Sequence, residues 1–379
     1  MLLQIRKREE ARFNKADQAL PDVTRHFHPV WRSAALRDKP VRVAVNGFPI
    51  VLFRTADGRA AALKDECAHR HTPLRFGTVV GDRIQCPYHG WTFNAAGEGH
   101  APGQPSLKCG VDAFHAIEKL GYIWVARRST PVTQMPEFVE HAEHLTGAWA
   151  GFERMPVIEM TIRSSLGPVI DNFAEIEHVP YVHKILGWDP ADAPRMQIQM
   201  DNRADGSDAL AWGPQREPPN TLLRLLDRVL MRRGDTSLLE YGFRFSPVHT
   251  IFQPGWGDPV TRERRSFSVR ATSVLVPIDD QTTRLINFSF LKLHDEGLRP
   301  LRKIVKAAAW LSLRSELKLD AGICEKQSFG DTESLRGMRL DKHDRQVAHN
   351  RKLLDRIYYG KGAGDADRDD ATGSSEESA

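Results

Sequence analysis

No stretch of this 379-residue chain approaches the ~20 consecutive apolar residues that a membrane-spanning helix needs, so nothing in it reads as a span. Met1 to Ala19 is charged throughout and holds no apolar signal core, which makes a cytoplasmic protein the expectation. A dominant charge is missing too: 53 basic residues against 49 acidic leave a net +4, too mild to demand nucleic acid. Cysteine is scarce, four residues in all, and their spacing suggests no disulfide framework. No nicotinamide or flavin fingerprint occurs, so any reducing power has to come from outside the chain. What is present is a hydrophobic content of 41%, enough for packed cores, and length for two or three domains.

Two of the four cysteines sit in unusual company. Cys67-Ala68-His69 is followed sixteen residues later by Cys86-Pro87-Tyr88-His89-Gly90-Trp91. Each short loop offers one thiolate and one imidazole. Thiolates hold iron–sulfur clusters, and in the Rieske type two imidazoles replace two thiolates on one iron. Structural zinc also accepts Cys₂His₂, although zinc modules usually space their ligands as close pairs of like type. The mixed loops here, Cys-x-His and then Cys-x-x-His, favour the [2Fe-2S] cluster on Cys67, His69, Cys86 and His89.

The region resembles the Rieske domain of ring-hydroxylating oxygenases and their soluble relatives. The respiratory branch carries an extra cysteine in each loop; Thr72 and Tyr88 stand at those positions here, so no such bridge forms. Around the ligands the pattern is all-β. Val41, Val43 and Val45 alternate with Arg42 and Ala44, Asn46-Gly47 signals a type I′ hairpin, and Phe48 to Arg54 returns. Asp57-Gly58 then turns into Ala60 to Lys64, and Pro49 points to an edge position for the returning strand. Tyr122 to Val125 closes the domain, and Pro131 and Pro136 mark a linker.

A second motif lies downstream. A helix is expected from about Leu166, with Pro168 tolerated in its first turn, and Asp171, Glu175 and His178 fall at i, i+4 and i+7 along one stripe. Pro180 then breaks regularity, and His183 follows His178 by five residues. On an undistorted helix that spacing splays the imidazoles by ~140°, so a break is required for them to share a metal. Two histidines and one carboxylate with open positions form the facial triad of non-haem iron oxygenases. The stretch resembles the iron-binding helix of the Rieske oxygenase catalytic subunit, with Asp171 at its acidic or amide position and Glu175 where an Asp is usual.

The third ligand has to come from later in the chain. Gly297 to Glu325 is amphipathic, with Leu301, Ile304, Val305, Ala308, Leu311 and Leu319 read as its apolar face. Within it Leu319-Asp320-Ala321-Gly322-Ile323 looks like the family's Asp-x-x-Ile/Val segment, whose Asp is the ligand; Glu325 and Asp331 compete with Asp320. Strands are expected over Tyr241 to Phe245, His249 to Gln253, Ser266 to Val276 and Thr283 to Lys292. Pro214 to Gly234 reads as an inserted apolar helix.

The resemblance thus implies an α+β chain. An N-terminal arm (1–23) leads into an all-β Rieske domain (24–130), a helix-grip antiparallel-sheet catalytic domain (131–360) and a disordered acidic and Ser-rich tail (361–379). It further implies a terminal oxygenase with a [2Fe-2S] cluster and mononuclear Fe(2+) on His178, His183 and Asp320. Electrons would come from an NAD(P)H-dependent reductase or a ferredoxin, and O2 would oxidise a medium-sized, largely apolar or aromatic organic molecule. Relatives assemble as homotrimers, in which Glu175 would link its own His178 to His89 of a neighbour. The lack of a span counts against chlorophyll-pathway and plastid relatives that carry a membrane anchor. An electron carrier without oxygenase activity is the other class, and desaturation or oxidative cyclisation share the scaffold.

Overall fold

The computed structural model describes residues 22–136, 151–183, 187–216, 234–327, 335, 337–340 and 344–361. The arm before residue 22, nearly all of the insertion, the tail and Asp331 lie outside the described residues. The chain divides into two compact units, Met1–Glu143 with Val276–Asp280, and His144–Leu275 with Gln281–Ala379. No helix among the described residues is long and apolar enough to cross a membrane.

The first unit is all-β. Six antiparallel strands run in the order β1-β10-β9-β4-β3-β2: β1 His28–Arg32, β2 Val41–Val45, β3 Phe48–Arg54, β4 Ala60–Lys64, and after the ligand loops β9 Ala113–Lys119 and β10 Tyr122–Arg127. The β2–β3 turn has the geometry its residues demand, Asn46 at φ 48° and Gly47 at φ 80°. β3 is an interior strand and not an edge. Pro49 is tolerated because pairing with β4 begins only at Ile50, so its missing N–H falls beyond the ladder. A smaller sheet, β5 Thr78–Val80, β6 Arg83–Gln85, β7 Thr92–Asn94 and β8 Gly99–His100, presents the second ligand loop between β6 and β7.

The second unit is built on eight antiparallel strands. The path β11-β18-β17-β16-β15-β14-β13 comprises β11 Glu153–Arg154, β13 Gln197–Asn202, β14 Gly206–Gly213, β15 Thr236–Phe245, β16 Val248–Gly257, β17 Arg264–Asp279 and β18 Thr282–Leu293; β12 Ile158–Ile162 also pairs with β18. The strands run longer than their turn signals suggested. Helix α1 (Leu166–Ala174) and the one-turn α2 (Val179–Val182) precede β13, and α3 (Arg302–Gln327) and α4 (Arg345–Leu353) follow β18. α3 packs on α1, β12 and β18.

The face that α3 buries differs from the expected one. Leu301, Ile304 and Leu311 are exposed, whereas Val305, Leu313, Glu316, Leu317, Asp320 and Cys324 form the buried stripe. Hydrophobicity alone misleads because two carboxylates sit on the inward face. Such groups are seldom buried without a partner.

Histidine burial yields a pH prediction. His249 on β16 is buried, and that burial pushes its pKa down from 6.5 to about 4 while Nδ1 meets the Pro247 carbonyl at 2.8 Å. The unfolded chain takes up this proton near the ordinary value of 6.5 and the folded chain only near 4, so stability is lost as pH drops through that window. His249→Leu should therefore gain about 2 kcal/mol relative to the parent between about pH 6.5 and about pH 5. Urea unfolding of both proteins at the two values checks this. A pH-independent difference would mean that the native histidine charges freely.

Candidate metal centres

The two cysteine loops are built alike. Cys67 N–H donates to Thr72 O (3.0 Å) and His71 N–H returns to Cys67 O (2.9 Å); Cys86 N–H donates to Trp91 O (2.7 Å) and Gly90 N–H returns to Cys86 O (3.2 Å). Each loop thus closes through its cysteine and needs a left-handed residue four places on, His71 at φ 55° in the first and Gly90 at φ 70° in the second. Both sulfurs are buried and neither is in a disulfide. Burial, together with the neighbouring Cys86, pushes the Cys67 thiol up to about 11. A thiolate there needs positive charge beside it, which iron supplies.

The imidazoles take the outer position. His69 and His89 are exposed, with ring centroids 4.6 Å apart; His69 stacks on Trp91 at 4.7 Å, and Tyr88 lies against His89 at 3.8 Å. Two inner sulfurs and two outer ring nitrogens would suit a [2Fe-2S] cluster of the Rieske type, with the imidazoles on the solvent side.

In the second unit the chain bends where a metal site needs it to. α1 stops at Ala174 because Glu175 turns extended (φ −104°, ψ 148°), so Asp171, Glu175 and His178 do not share one helical stripe. Glu175 then caps the next turn: Oε2 accepts from His178 N–H at 3.1 Å and Oε1 meets His178 Nδ1 at 2.6 Å. His178 starts α2 and His183 ends it in an extended conformation, with Pro180 inside its first turn. The breaks flank α2, and Pro180 helps to start it. Both Nε2 atoms consequently converge, 3.2 Å apart.

Asp320 of α3 completes the group. Its Oδ1 lies 3.4 Å from His178 Nε2 and 3.2 Å from His183 Nε2, is buried, and has no hydrogen-bond partner. Three donors about 2.1 Å from one ion at right angles would sit ~3 Å apart, close to what is seen. Each imidazole is also held from behind: Glu175 faces Nδ1 of His178, and Glu316 makes a short ion pair with Nδ1 of His183. Nδ1–H directed at a carboxylate leaves Nε2 with its lone pair for a metal. Although burial opposes charging them, Asp320 with Glu175 raises His178 to about 9, and Asp320 with Glu316 raises His183 to about 9. The cage favours positive charge at its centre, and a divalent ion meets that demand with neutral imidazoles.

Not every candidate joins this group. Asp171 is held by Arg351, whose Nε and Nη2 contact its two oxygens at 2.8 and 2.7 Å. Glu325 is engaged at the surface by Arg163. Glu316 was missed, although it lies one helical turn before Asp320 on the same face, and that spacing could have found it. Arg216 was missed as well. Its guanidinium binds the carbonyls of His183 (2.6 Å), Pro180 (2.5 Å) and Trp188 (2.9 Å) and the carboxylate of Asp189 (3.0 Å), locking the ligand loop. No local pattern marks it in the sequence.

Residues 26–117 match the Rieske [2Fe-2S] domain family. The chain is 34% identical over 175 residues to chlorophyllide a oxygenase of Chlamydomonas reinhardtii, covering 44% of this chain and 26% of that protein. It is 29% identical over 168 residues to the oxygenase component of dicamba O-demethylase from Stenotrophomonas maltophilia, 41% of this chain and 47% of the relative. Among solved structures, dicamba monooxygenase bound to 3,6-dichlorosalicylic acid overlays with a TM-score of 0.72 at 18% identity, covering 90% of this chain and 99% of that one. The chain is a relative of the Rieske non-haem iron oxygenases. Against the first curated relatives it spans between 26% and 49% of their length. Protein TIC 55 of Pisum sativum, at 26% identity over 376 residues, aligns along 93% of this chain and 61% of its own. Chloroplast proteins are thus among those to which the chain is similar. The Rieske domain match and the similarity to a dicamba monooxygenase solved with non-heme iron point to two cofactors, a [2Fe-2S] cluster and a mononuclear iron. The chain's donor sets fit both.

Proposed function

We propose that this chain is the terminal oxygenase component of a Rieske non-haem iron system, oxidising a small organic molecule with O2 and externally supplied electrons. The observation that carries the reading is the convergence of His178 Nε2, His183 Nε2 and Asp320 Oδ1 within 3.4 Å of one another, in a chain that also holds a Rieske domain. A His₂-carboxylate set also suits catalytic zinc, but a one-electron donor domain in the same chain favours iron. Bound there, the iron supplies the activation of O2.

The chain's own residues do the rest. Cys67, Cys86, His69 and His89 hold the cluster; Glu175 and Glu316 orient the iron-binding imidazoles and keep Nδ1 protonated. An apolar cavity lined by Phe173, Ile176, Leu239, Phe252, Leu313 and Leu317 reaches the metal ligands, takes up the substrate and excludes bulk water. Relatives include a dicamba O-demethylase, a methylxanthine N1-demethylase and a toluene-4-sulfonate monooxygenase component, which supports a small ring-shaped substrate. Electrons come from an NAD(P)H-dependent reductase, directly or through a ferredoxin, and the assembly is a homotrimer. Metal analysis of the purified protein tests the reading, with about three irons per chain expected for the oxygenase and about two for a pure electron carrier. Substrate-dependent oxygen uptake with a surrogate reductase then completes the test.

Glu175 extends the reading across subunits. It is only partly buried, and its carboxylate keeps lone pairs beyond those used by His178, enough to accept from His89 of the partner subunit. Glu175→Gln, loaded with excess iron, should keep both metal centres and the oligomer. Oxidation of the reduced cluster in a single turnover should slow by at least about tenfold, the scale of a lost supporting partner. An unchanged rate would remove Glu175 from the electron route.

A further inference from the structure

The cavity above the iron site carries polar atoms that the protein itself leaves unanswered. Trp188 Nε1, Trp256 Nε1 and Tyr241 Oη are buried and without a hydrogen-bond partner, and all three residues line the cavity. Trp188 and Tyr241 are each about 95% buried, since each exposes 5% of its surface. A buried N–H or O–H left unpaired is expensive, so native proteins rarely keep several together without something to receive them. The same wall also carries Asn287, whose amide nitrogen donates to Ser273 at 2.9 Å while its oxygen has no partner.

Charge in the cavity is equally selective. Among the described lining residues there is no lysine or arginine, and the acids Glu175, Glu316 and Asp320 all serve the histidines. Arg216, next in sequence to the lining residue Gln215, is occupied by three carbonyls and Asp189. Nothing described there neutralises an incoming carboxylate or sulfonate, and burying such a group without a counter-charge is strongly unfavourable. An uncharged oxygen acceptor on an apolar ring satisfies the indole and phenol donors without that penalty.

We propose that the substrate is an uncharged ring compound bearing a carbonyl or ether oxygen, recognised by Trp188, Tyr241 and Trp256. The donors select for the oxygen, and the lack of lysine or arginine among the described lining residues selects against an anion. This rests on the oxygenase reading for its consequence, but the pocket chemistry is measurable without turnover.

The test uses three bicyclic probes of similar size on the iron-loaded protein: 1-tetralone (neutral carbonyl), tetralin (hydrocarbon) and 1-naphthoate (anion). Dissociation constants come from calorimetry and tryptophan quenching, with iron content measured on the same sample. 1-Tetralone should bind at least about tenfold more tightly than either of the others, the worth of one well-placed buried hydrogen bond. Tyr241→Phe and Trp188→Phe, which remove a donor and keep an aromatic ring, should each shrink the tetralone-to-tetralin ratio while tetralin affinity stays level. Equal binding of tetralin, tightest binding of naphthoate, or no measurable binding of tetralone would each overturn the proposal. Iron near two per chain with tetralone still preferred would instead sink the oxygenase reading and leave the pocket assignment standing.

Discussion

Asp320→Ala is expected to strip the mononuclear iron and abolish product formation while the visible and EPR signature of the reduced cluster is unchanged. The size of the effect follows from what Asp320 provides. It is the carboxylate facing both Nε2 atoms, at 3.4 and 3.2 Å, and it contributes the negative charge that most raises both imidazoles. Removing it leaves a half-buried His178 and a buried His183 held from behind by Glu175 and Glu316 but with no anionic donor in front. Loss of a supporting partner typically weakens metal binding by ~10–100-fold, and loss of a ligand exceeds that. Metal analysis and oxygen uptake on one preparation check the two halves of the expectation. Full iron with full turnover would reassign the ligand, and Glu316 would be the first alternative, because Glu325 is tied to Arg163 at the surface.

The cluster loops were legible because their chemistry is local. Cysteine and histidine at short spacing, Gly90 at a left-handed position and the Asn46-Gly47 hairpin each act within a few residues, and the structure builds them as the spacing requires. The iron site was only half legible. The two histidines and Asp320 could be picked out by type and resemblance, but what brings them together is tertiary. The break of α1 at Glu175 depends on a carboxylate folding back onto the His178 backbone and ring, which no helix propensity encodes. The face of α3 was misjudged for a related reason. Periodicity rewards apolar residues and cannot credit Glu316 and Asp320 with burial, so the exposed Ile304 and Leu311 looked like core. Asp171 shows the reverse case: resemblance put it at the acidic or amide position of the iron-binding helix, and its carboxylate is held by Arg351, 180 residues away, which no local pattern signals.

Glu316→Gln is expected to weaken retention of the mononuclear iron by ~10–100-fold while leaving the cluster and the fold intact. Glu316 is 5% exposed on α3, and its Oε2 and His183 Nδ1 have no partner other than each other. A carboxylate behind an imidazole does two things for a metal in front. It holds the ring with Nε2 facing inward, and its charge makes that nitrogen a better donor. Glutamine keeps the volume and can still accept from Nδ1–H through its amide oxygen, so packing and much of the orientation survive. What disappears is the charge, and with it part of what holds His183 near 9. The substitution therefore separates electrostatics from packing in a way that Glu316→Ala, which also opens a cavity, does not. Glu175→Gln is the matched control on the other imidazole, since Glu175 faces His178 in the same manner. The two residues grip different ligands of one ion, so their effects on iron affinity should couple in the double variant and not simply add. Anaerobic competition with a calibrated chelator gives the affinities. Wild-type affinity in Glu316→Gln would show that the buried glutamate serves the packing of α3 and not the metal.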